Sequence, residues 1–156
     1  MCGLTGSLEF EPATPSETLS RQVVAMANTL HHRGPDSAGH WIDAKAGIAL
    51  GFRRLAIIDL SEHGAQPMTS HDDRYVMVYN GEIYNFPELR QELESKGHGF
   101  VGHSDSEVIL AAIVEWGLVA AVGRFVGMFA IALWDRRERA LSLVRDRLGI
   151  KPLYYA

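Results

Sequence analysis

The chain has 156 residues, of which 47% are hydrophobic and 22% are charged. This composition is typical of a soluble globular protein, and the length fits a single domain over residues 1–156 with its own hydrophobic core. The formal net charge of −4 argues against a nucleic-acid or anionic-membrane partner. No apolar run reaches the roughly 20 residues of a membrane helix, and the first residues do not resemble a secretory signal. We therefore expect a cytoplasmic protein.

Metal and disulfide sites are not expected. Cys2 is the only cysteine, which excludes an internal disulfide. The seven histidines form no His-x-x-x-His pair on a predicted helix, and no second cysteine could complete a zinc site.

The N-terminal half of the chain reads as strands and loops around one helix. Five segments are predicted: a strand over 2–8, a helix over 15–30, a loop over 31–41, one or two strands within 46–59, and a loop over 61–69. Thr14 and Glu17 have the spacing of a capping box, which places Pro15 at the first helical position.

The C-terminal half contains two further helices. A strand is predicted over 75–79 with a continuation at 83–84, then helices over 85–97 and 104–117, then strands over 127–134 and 141–144. Asn85 with Glu88, and Ser104 with Glu107, have the spacing of capping boxes. Since strands dominate both ends and helices fill the middle, we expect an α+β layered fold.

Cys2 is the candidate nucleophile. An N-terminal cysteine can attack a carbonyl carbon with its own α-amino group as general base. A free α-amino group titrates near ~7.7–8.0, so part of it is neutral at pH 7. The chemistry requires removal of Met1, which a small second residue permits. The alternative is a cysteine that packs as a small hydrophobe, and position 2 taken alone favours that alternative.

Asn80 and Gly81 could form an oxyanion hole. The side-chain amide of Asn80 and the backbone N–H of Gly81 are donors suited to an oxygen that becomes negative. The same dipeptide between two β-rich runs is also the commonest short hairpin turn, and taken alone it favours the turn.

A free amino acid as substrate needs a cation and an anion in the same pocket. Arg54 is a candidate for holding an α-carboxylate with two hydrogen bonds, and Glu82 and Asp105 are candidates for an α-ammonium. The alternatives are a strand-edge charge for Arg54 and a favourable charge at a helix start for Asp105. Taken singly, each residue fits its alternative better.

Seven stretches in a fixed order cover nearly the whole chain. They are 1–3, 32–36 (His-Arg-Gly-Pro-Asp), 54–59 (Arg-Leu-Ala-Ile-Ile-Asp), 66–67 (Gln-Pro), 79–85 (Tyr-Asn-Gly-Glu-Ile-Tyr-Asn), 104–107 (Ser-Asp-Ser-Glu) and 145–155. As an ordered set they resemble the class II glutamine amidotransferase domain of the asparagine synthetase family, whose members are N-terminal-nucleophile hydrolases. The resemblance implies a four-layer α/β/β/α sandwich.

The resemblance also implies an activity, the hydrolysis of L-glutamine to glutamate and ammonia through a γ-glutamyl thioester on Cys2. The implied roles are an oxyanion hole at Asn80 and Gly81, an α-carboxylate site at Arg54, a pocket wall from Leu55, Ala56, Ile57 and Ile58, and an α-ammonium site at Glu82 and Asp105. Arg33 is expected near the site as a support. Ala56 replaces a serine that is common in the family, a change that a backbone role would tolerate.

The resemblance further implies partners outside these residues. Family members carry an ATP-dependent synthetase domain, and its Ser-Gly-Gly-type phosphate loop is absent here, so we expect a truncated piece of a longer protein with that domain in cis or in trans. ATP and Mg²⁺ are implied only for that domain, and no cofactor for this one. An exposed sheet edge could pair with a second copy as a homodimer. Two alternatives stay open: a different ammonia acceptor, such as a cell-surface sugar or peptide precursor, and a catalytically silent scaffold.

Overall fold

A computed structural model describes residues 2–57 and 61–156. The strands are β1 (Gly3–Leu8), β2 (Ser37–Asp43), β3 (Ile48–Arg54), β4 (Met68–Thr69), β5 (Tyr75–Ile83), β6 (Gly127–Asp135) and β7 (Ala140–Arg145). The α-helices are α1 (Ser16–Thr29), α2 (Phe86–Ser95), α3 (Asp105–Trp116) and α4 (Leu118–Arg124), with 3₁₀ turns at His31–Arg33 and Glu62–Gly64. Within the described ranges, no helix is both long and apolar enough to cross a membrane.

Two antiparallel sheets face each other. The first has the strand order β1-β3-β2 and the second the order β4-β5-β6-β7. Successive side chains of a strand point to opposite faces, so alternate residues of β3, β5 and β6 meet between the sheets. This inter-sheet core contains Ile48, Leu50, Phe52, Val76, Val78, Ala132 and Trp134.

The helices cover the outer faces of the two sheets. Leu19, Val23 and Ala27 of α1 are buried, and Val23 lies against Gly51 of β3. On the second sheet, the outward side chains of β5 and β6 join α2, α3 and α4 in a second core that includes Tyr79, Leu93 and Ile109. The layers are therefore α/β/β/α, and the predicted α+β four-layer fold is confirmed.

Two predicted segments differ from the structure because strand pairing overrides local turn signals. Asn80 and Gly81 do not form a turn: β5 runs through both, opposite Ala130 and Phe129 of β6. The predicted loop over 31–41 contains most of β2, which pairs with β3 along its length despite Gly39. The short helix α4 was not predicted, and β3 ends at Arg54, before the end of the segment 46–59.

The three predicted capping boxes are wrong. None of the three helices has a side-chain hydrogen bond at its cap. At α1 and α2 the polar side chain bonds to a partner outside its helix instead. Thr14 donates to the Glu9 carboxylate, and Pro15 occupies the cap itself. Asn85 bonds to the backbone of Arg124 and Val126, at the junction of α4 with β6.

Candidate active site

One cavity collects the predicted site residues that the structure describes. It opens between the residue before β1, the segment after β3, the second half of β5 and the first turn of α3. Its predicted lining residues are Cys2, Arg54, Leu55, Ala56, Ile57, Asn80, Gly81, Glu82 and Asp105. Ile58, the remaining predicted wall residue, lies outside the described residues, as does Met1.

Cys2 is held at the cavity by contacts on both its side chain and its backbone. Its Sγ lies 3.4 Å from the backbone nitrogen of Leu55, which donates to it. Arg33 Nε donates a 3.1 Å hydrogen bond to the backbone oxygen of Cys2. The side chain is half-buried and also touches the inter-sheet core. It therefore packs as a small hydrophobe on one side while its thiol borders the cavity.

The wall formed by residues 55–57 is braced from the 32–36 stretch. Asp36 Oδ2 accepts a 2.8 Å hydrogen bond from the backbone N–H of Ala56, and the Asp36 N–H donates to the Arg54 oxygen at 3.1 Å. Arg53 Nε donates to the Gly34 oxygen at 3.1 Å. These bonds account for the otherwise unexplained Arg-Gly-Pro-Asp motif as a support for the wall. The contribution of Ala56 to this network is its backbone N–H.

Arg54 contributes a buried cation to the cavity. Its side chain is held in part by a 2.6 Å hydrogen bond from Nη1 to the Ser61 oxygen. Gly64 packs against the guanidinium so closely that a Cβ atom there would lie within 3.1 Å of Arg54 Cζ. The position of this cation therefore depends on a glycine that sequence reasoning did not single out.

Asn80 and Gly81 lie where, among the residues that the structure describes, no strand covers one edge of β5. The neighbour β4 pairs only with Val76 and Met77. Beyond that point, side chains occupy the edge instead: Gln66 Oε1 accepts the Tyr79 N–H at 2.6 Å, and Asp105 Oδ2 accepts the Ile83 N–H at 3.0 Å.

The N–H of Gly81 points to this same edge. Alternate N–H groups of an antiparallel strand have the same direction, so Gly81 follows Tyr79 and Ile83. The bonds of Phe129, which lies opposite Gly81 on β6, support this direction. Both the N–H and the oxygen of Phe129 bond to Asp146, on the side of β6 away from β5, so they are not directed at Gly81. The Gly81 N–H thus faces the cavity between two occupied neighbours, as an oxyanion donor must.

Asp105 is a buried carboxylate at the start of α3. Its Oδ2 accepts a 2.6 Å hydrogen bond from the Tyr79 phenol in addition to the Ile83 N–H. Burial raises the pKa of the Asp105 carboxyl, although these hydrogen bonds favour its ionised form. Burial and the neighbouring Asp105 charge raise the pKa of Tyr79 well above its ordinary value, so Tyr79 stays a hydrogen-bond donor.

Sequence reasoning missed several residues of the cavity. The missed lining residues are Phe52, Gly64, Gln66, Tyr79, Ser104, Ser106, Met128 and Lys151. Gln66 shows their importance, because its amide bridges the Tyr79 N–H to Ser106 Oγ, the latter at 3.4 Å. Its signal was present in the Gln66–Pro67 stretch, but a polar residue in a loop gives no indication of the strand it will contact.

Among residues 2–57 and 61–156, no group of three or more His, Cys, Asp or Glu side chains is arranged to hold a metal ion.

Comparison with known proteins identifies related chains. The sequence profile of a family described as "Glutamine amidotransferase domain" matches residues 1–156. Glutamine-hydrolysing asparagine synthetases 1 and 3 of Bacillus subtilis (strain 168) are 43% and 42% identical over 155 and 159 residues, which cover 99% of this chain. The matched part is 24% and 25% of those proteins, so the chain spans about a quarter of their length.

A solved structure shares the fold. It is the glutamine phosphoribosylpyrophosphate amidotransferase from B. subtilis in complex with ADP and GMP, with a TM-score of 0.67 and 19% sequence identity. The match covers 91% of this chain and 36% of that one. At this identity the likeness concerns the arrangement of strands and helices.

Proposed function

Because this chain belongs to the glutamine amidotransferase domain family, we propose that its cavity hydrolyses L-glutamine to glutamate and ammonia through a thioester on Cys2. The observation that carries the proposal is the shared cavity of the Cys2 thiol and the edge of β5 at Asn80 and Gly81. A nucleophile and oxyanion donors that border the same space are what acyl transfer requires.

The chemistry follows from the groups around the cavity. After Met1 is removed, the α-amino group of Cys2 takes the thiol proton, and the sulfur attacks the side-chain carbonyl carbon of glutamine. The Asn80 amide and the Gly81 N–H stabilise the oxyanion. The α-ammonium of Cys2 returns the proton to the leaving nitrogen, ammonia departs, and a γ-glutamyl thioester remains. Water then attacks the thioester, which releases glutamate and restores the thiol.

The remaining residues of the cavity suit the two charged groups of the substrate. We assign the α-carboxylate to the guanidinium of Arg54 and the α-ammonium to Asp105 with Glu82. The backbone of residues 55–57, braced by Asp36, supports the assignment of this segment as a wall against the substrate chain. In this proposal the domain uses only its own side chains and water; ATP and Mg²⁺ would serve an acceptor-activating synthetase domain.

For the whole protein we propose that the ammonia serves asparagine synthesis. The support is the likeness to the two Bacillus asparagine synthetases. A synthetase domain, in cis or in trans, would receive the ammonia. The purified full-length system tests this directly: asparagine formed from aspartate, ATP and glutamine supports the proposal, and amide transfer to a different acceptor contradicts it.

Two further proposals concern compartment and assembly. A nucleophilic thiol must stay reduced, which favours the cytoplasm. Within the described residues, β7 pairs only with β6, so its outer edge is a surface through which two copies could form a homodimer. Light scattering of the purified protein tests the homodimer.

The central experiment measures ammonia and glutamate release from L-glutamine by protein whose intact mass shows removal of Met1. Turnover that is lost in Cys2→Ala supports the proposal, as does a mass increase equal to one γ-glutamyl group in acid-quenched samples. Turnover that survives in Cys2→Ala would refute the nucleophile. Absence of turnover in folded, processed protein would refute the activity. Protein that retains Met1 is the matched control and is expected to be inactive, because the general base is then an amide.

A further inference from the structure

Ser104 has an unusual side chain at the edge of the cavity. The residue lines the cavity beside Asp105 and is 5% exposed. Its hydroxyl oxygen is buried and has no hydrogen-bond partner among the residues that the structure describes. The other such atom, Trp134 Nε1, lies in the inter-sheet core away from the cavity. A buried polar atom without a partner is rare and calls for an explanation.

The backbone of Ser104 has the conformation of a helix cap, which would normally give its hydroxyl a hydrogen-bond partner. Its φ of −79° and ψ of 147° are the angles of a residue that caps a helix, and serine is a preferred capping residue. The hydroxyl nevertheless accepts no N–H of α3. Both the forgone cap and the buried hydroxyl cost stability in the empty protein, and a ligand that bonds to Oγ would offset that cost.

The chemistry next to Ser104 indicates which part of a ligand would bind. An α-ammonium carries three N–H donors. Asp105 offers it chiefly Oδ1, because its Oδ2 already accepts bonds from Tyr79 and Ile83. Glu82, across the cavity lining, offers a second carboxylate. A third acceptor is still needed, and the hydroxyl adjacent to Asp105 is a neutral oxygen that can supply it without adding charge.

We propose that Ser104, on rotation of its side chain about χ1 toward the cavity it lines, is a substrate-positioning group whose Oγ accepts a hydrogen bond from the α-ammonium of glutamine. The inference rests on the glutaminase function proposed above and adds a specificity determinant to it. The site would select substrates with an α-amino group over otherwise identical amides that lack one. Since this contact is equally available in the ground state and the transition state, its loss should act on KM rather than on kcat.

The test compares Ser104→Ala with the unaltered protein on two substrates, L-glutamine and glutaramate, which is glutamine without its α-amino group. We expect Ser104→Ala to raise KM for L-glutamine by about 10-fold with little change in kcat, the typical effect of losing a hydrogen bond to a charged group. For glutaramate the variant should match the unaltered protein. Ser104→Thr, which keeps a hydroxyl, should restore most of the affinity for L-glutamine.

Binding in an inactive background separates this inference from the proposed function. Calorimetry of L-glutamine with Cys2→Ala and with Cys2→Ala/Ser104→Ala should give dissociation constants that also differ about 10-fold. Equal constants would overturn the role of Ser104 while leaving the glutaminase proposal intact. Failure of both variants to bind would overturn the proposed function and the inference with it. An equal loss for glutaramate and L-glutamine would overturn the contact to the α-ammonium.

Thermal unfolding excludes a merely structural role. Removing an unpartnered buried hydroxyl should leave the Tm of the ligand-free protein unchanged or higher, whereas the loss of a working helix cap would lower it. Ser95→Ala, at an exposed serine that ends α2, is the matched control and should change neither binding nor turnover. A lowered Tm in Ser104→Ala with unchanged binding would assign Ser104 to the helix and overturn the proposal.

Discussion

The phenol of Tyr79 donates a 2.6 Å hydrogen bond to the buried carboxylate of Asp105, which joins β5 to the first turn of α3. Through this bond the strand that carries the proposed oxyanion donors, Asn80 and Gly81, is tied to the carboxylate proposed to hold the substrate ammonium. The bond fixes the position of Asp105 relative to the strand that carries Asn80 and Gly81.

Replacing Asp105 by Asn should change glutamine affinity and the stability of the folded protein in different ways. We expect glutamine affinity to fall on the order of 10- to 100-fold, because a charged hydrogen-bond partner is lost. Burial raises the pKa of Asp105, so the folded state holds its proton more tightly than the unfolded state, and stability falls as pH rises through that raised pKa. At pH 7 the Asn variant should therefore be at least as stable as the unaltered protein. Calorimetric unfolding and glutamine titration check both parts; a marked loss of Tm would contradict the linkage.

The raised pKa of Asp105 also predicts the pH dependence of binding. In the Cys2→Ala background, affinity for L-glutamine should weaken as pH falls through a pKa above the ordinary aspartate value, because the protonated carboxyl no longer attracts the ammonium. Adding Asp105→Asn should remove that part of the pH dependence. An unchanged profile in the double variant would assign the titration to a group other than Asp105.

Replacing Gly64 by Ala should displace the cation of the site. The new methyl group would overlap the Arg54 guanidinium, which must then move. We expect KM for glutamine to rise about 10-fold or more, as when a charged hydrogen bond is lost, with a smaller effect on kcat. Gly123→Ala in α4 is the control, since a Cβ there meets nothing within 4 Å. The control should gain up to about 1 kcal/mol of stability without any kinetic change.

Replacing Asp36 tests whether its hydrogen bond to the Ala56 N–H holds the pocket wall in position. Asp36→Ala removes the acceptor of the Ala56 N–H, so residues 55–57 lose a fixed position and kcat/KM should fall. Asp36→Asn keeps an oxygen that can accept the same bond and should retain most of the activity. Steady-state kinetics of the two variants provide the comparison. Equal losses would mean that the carboxylate charge matters rather than the hydrogen bond.

The layered fold was predictable because its signals are periodic and local. Continuous apolar runs in β5 and β6 indicate strands buried on both faces, and the helical spacing of apolar residues in α1 and α3 indicates helices that pack on them. The turn predicted at Asn80 and Gly81 failed for a different reason. That dipeptide favours a hairpin in isolation, but the long pairing of β5 with β6 decides its conformation, and this pairing joins residues about fifty positions apart in the chain.

The ordered set of motifs predicted which thiol and charged side chains meet in the cavity and that Arg33 lies beside them, but not the other supports. The side-chain types of Cys2, Arg54 and Asp105 indicate a nucleophile, a cation and an anion. Gly64 and Gln66 act through contacts with elements distant in sequence, so nothing in their own neighbourhood indicates a role. The capping boxes failed similarly, because Thr14 and Asn85 found partners outside their helices.

The uncovered edge of β5 has a consequence for how the protein could lose function. A slip of one residue between β5 and β6 would reverse the direction of every peptide group in β5. The Gly81 N–H would then point toward β6 instead of the cavity. The cavity would lose this hydrogen-bond donor although the sequence had not changed. Correct alignment of these two strands is thus as much a requirement for turnover as the thiol itself.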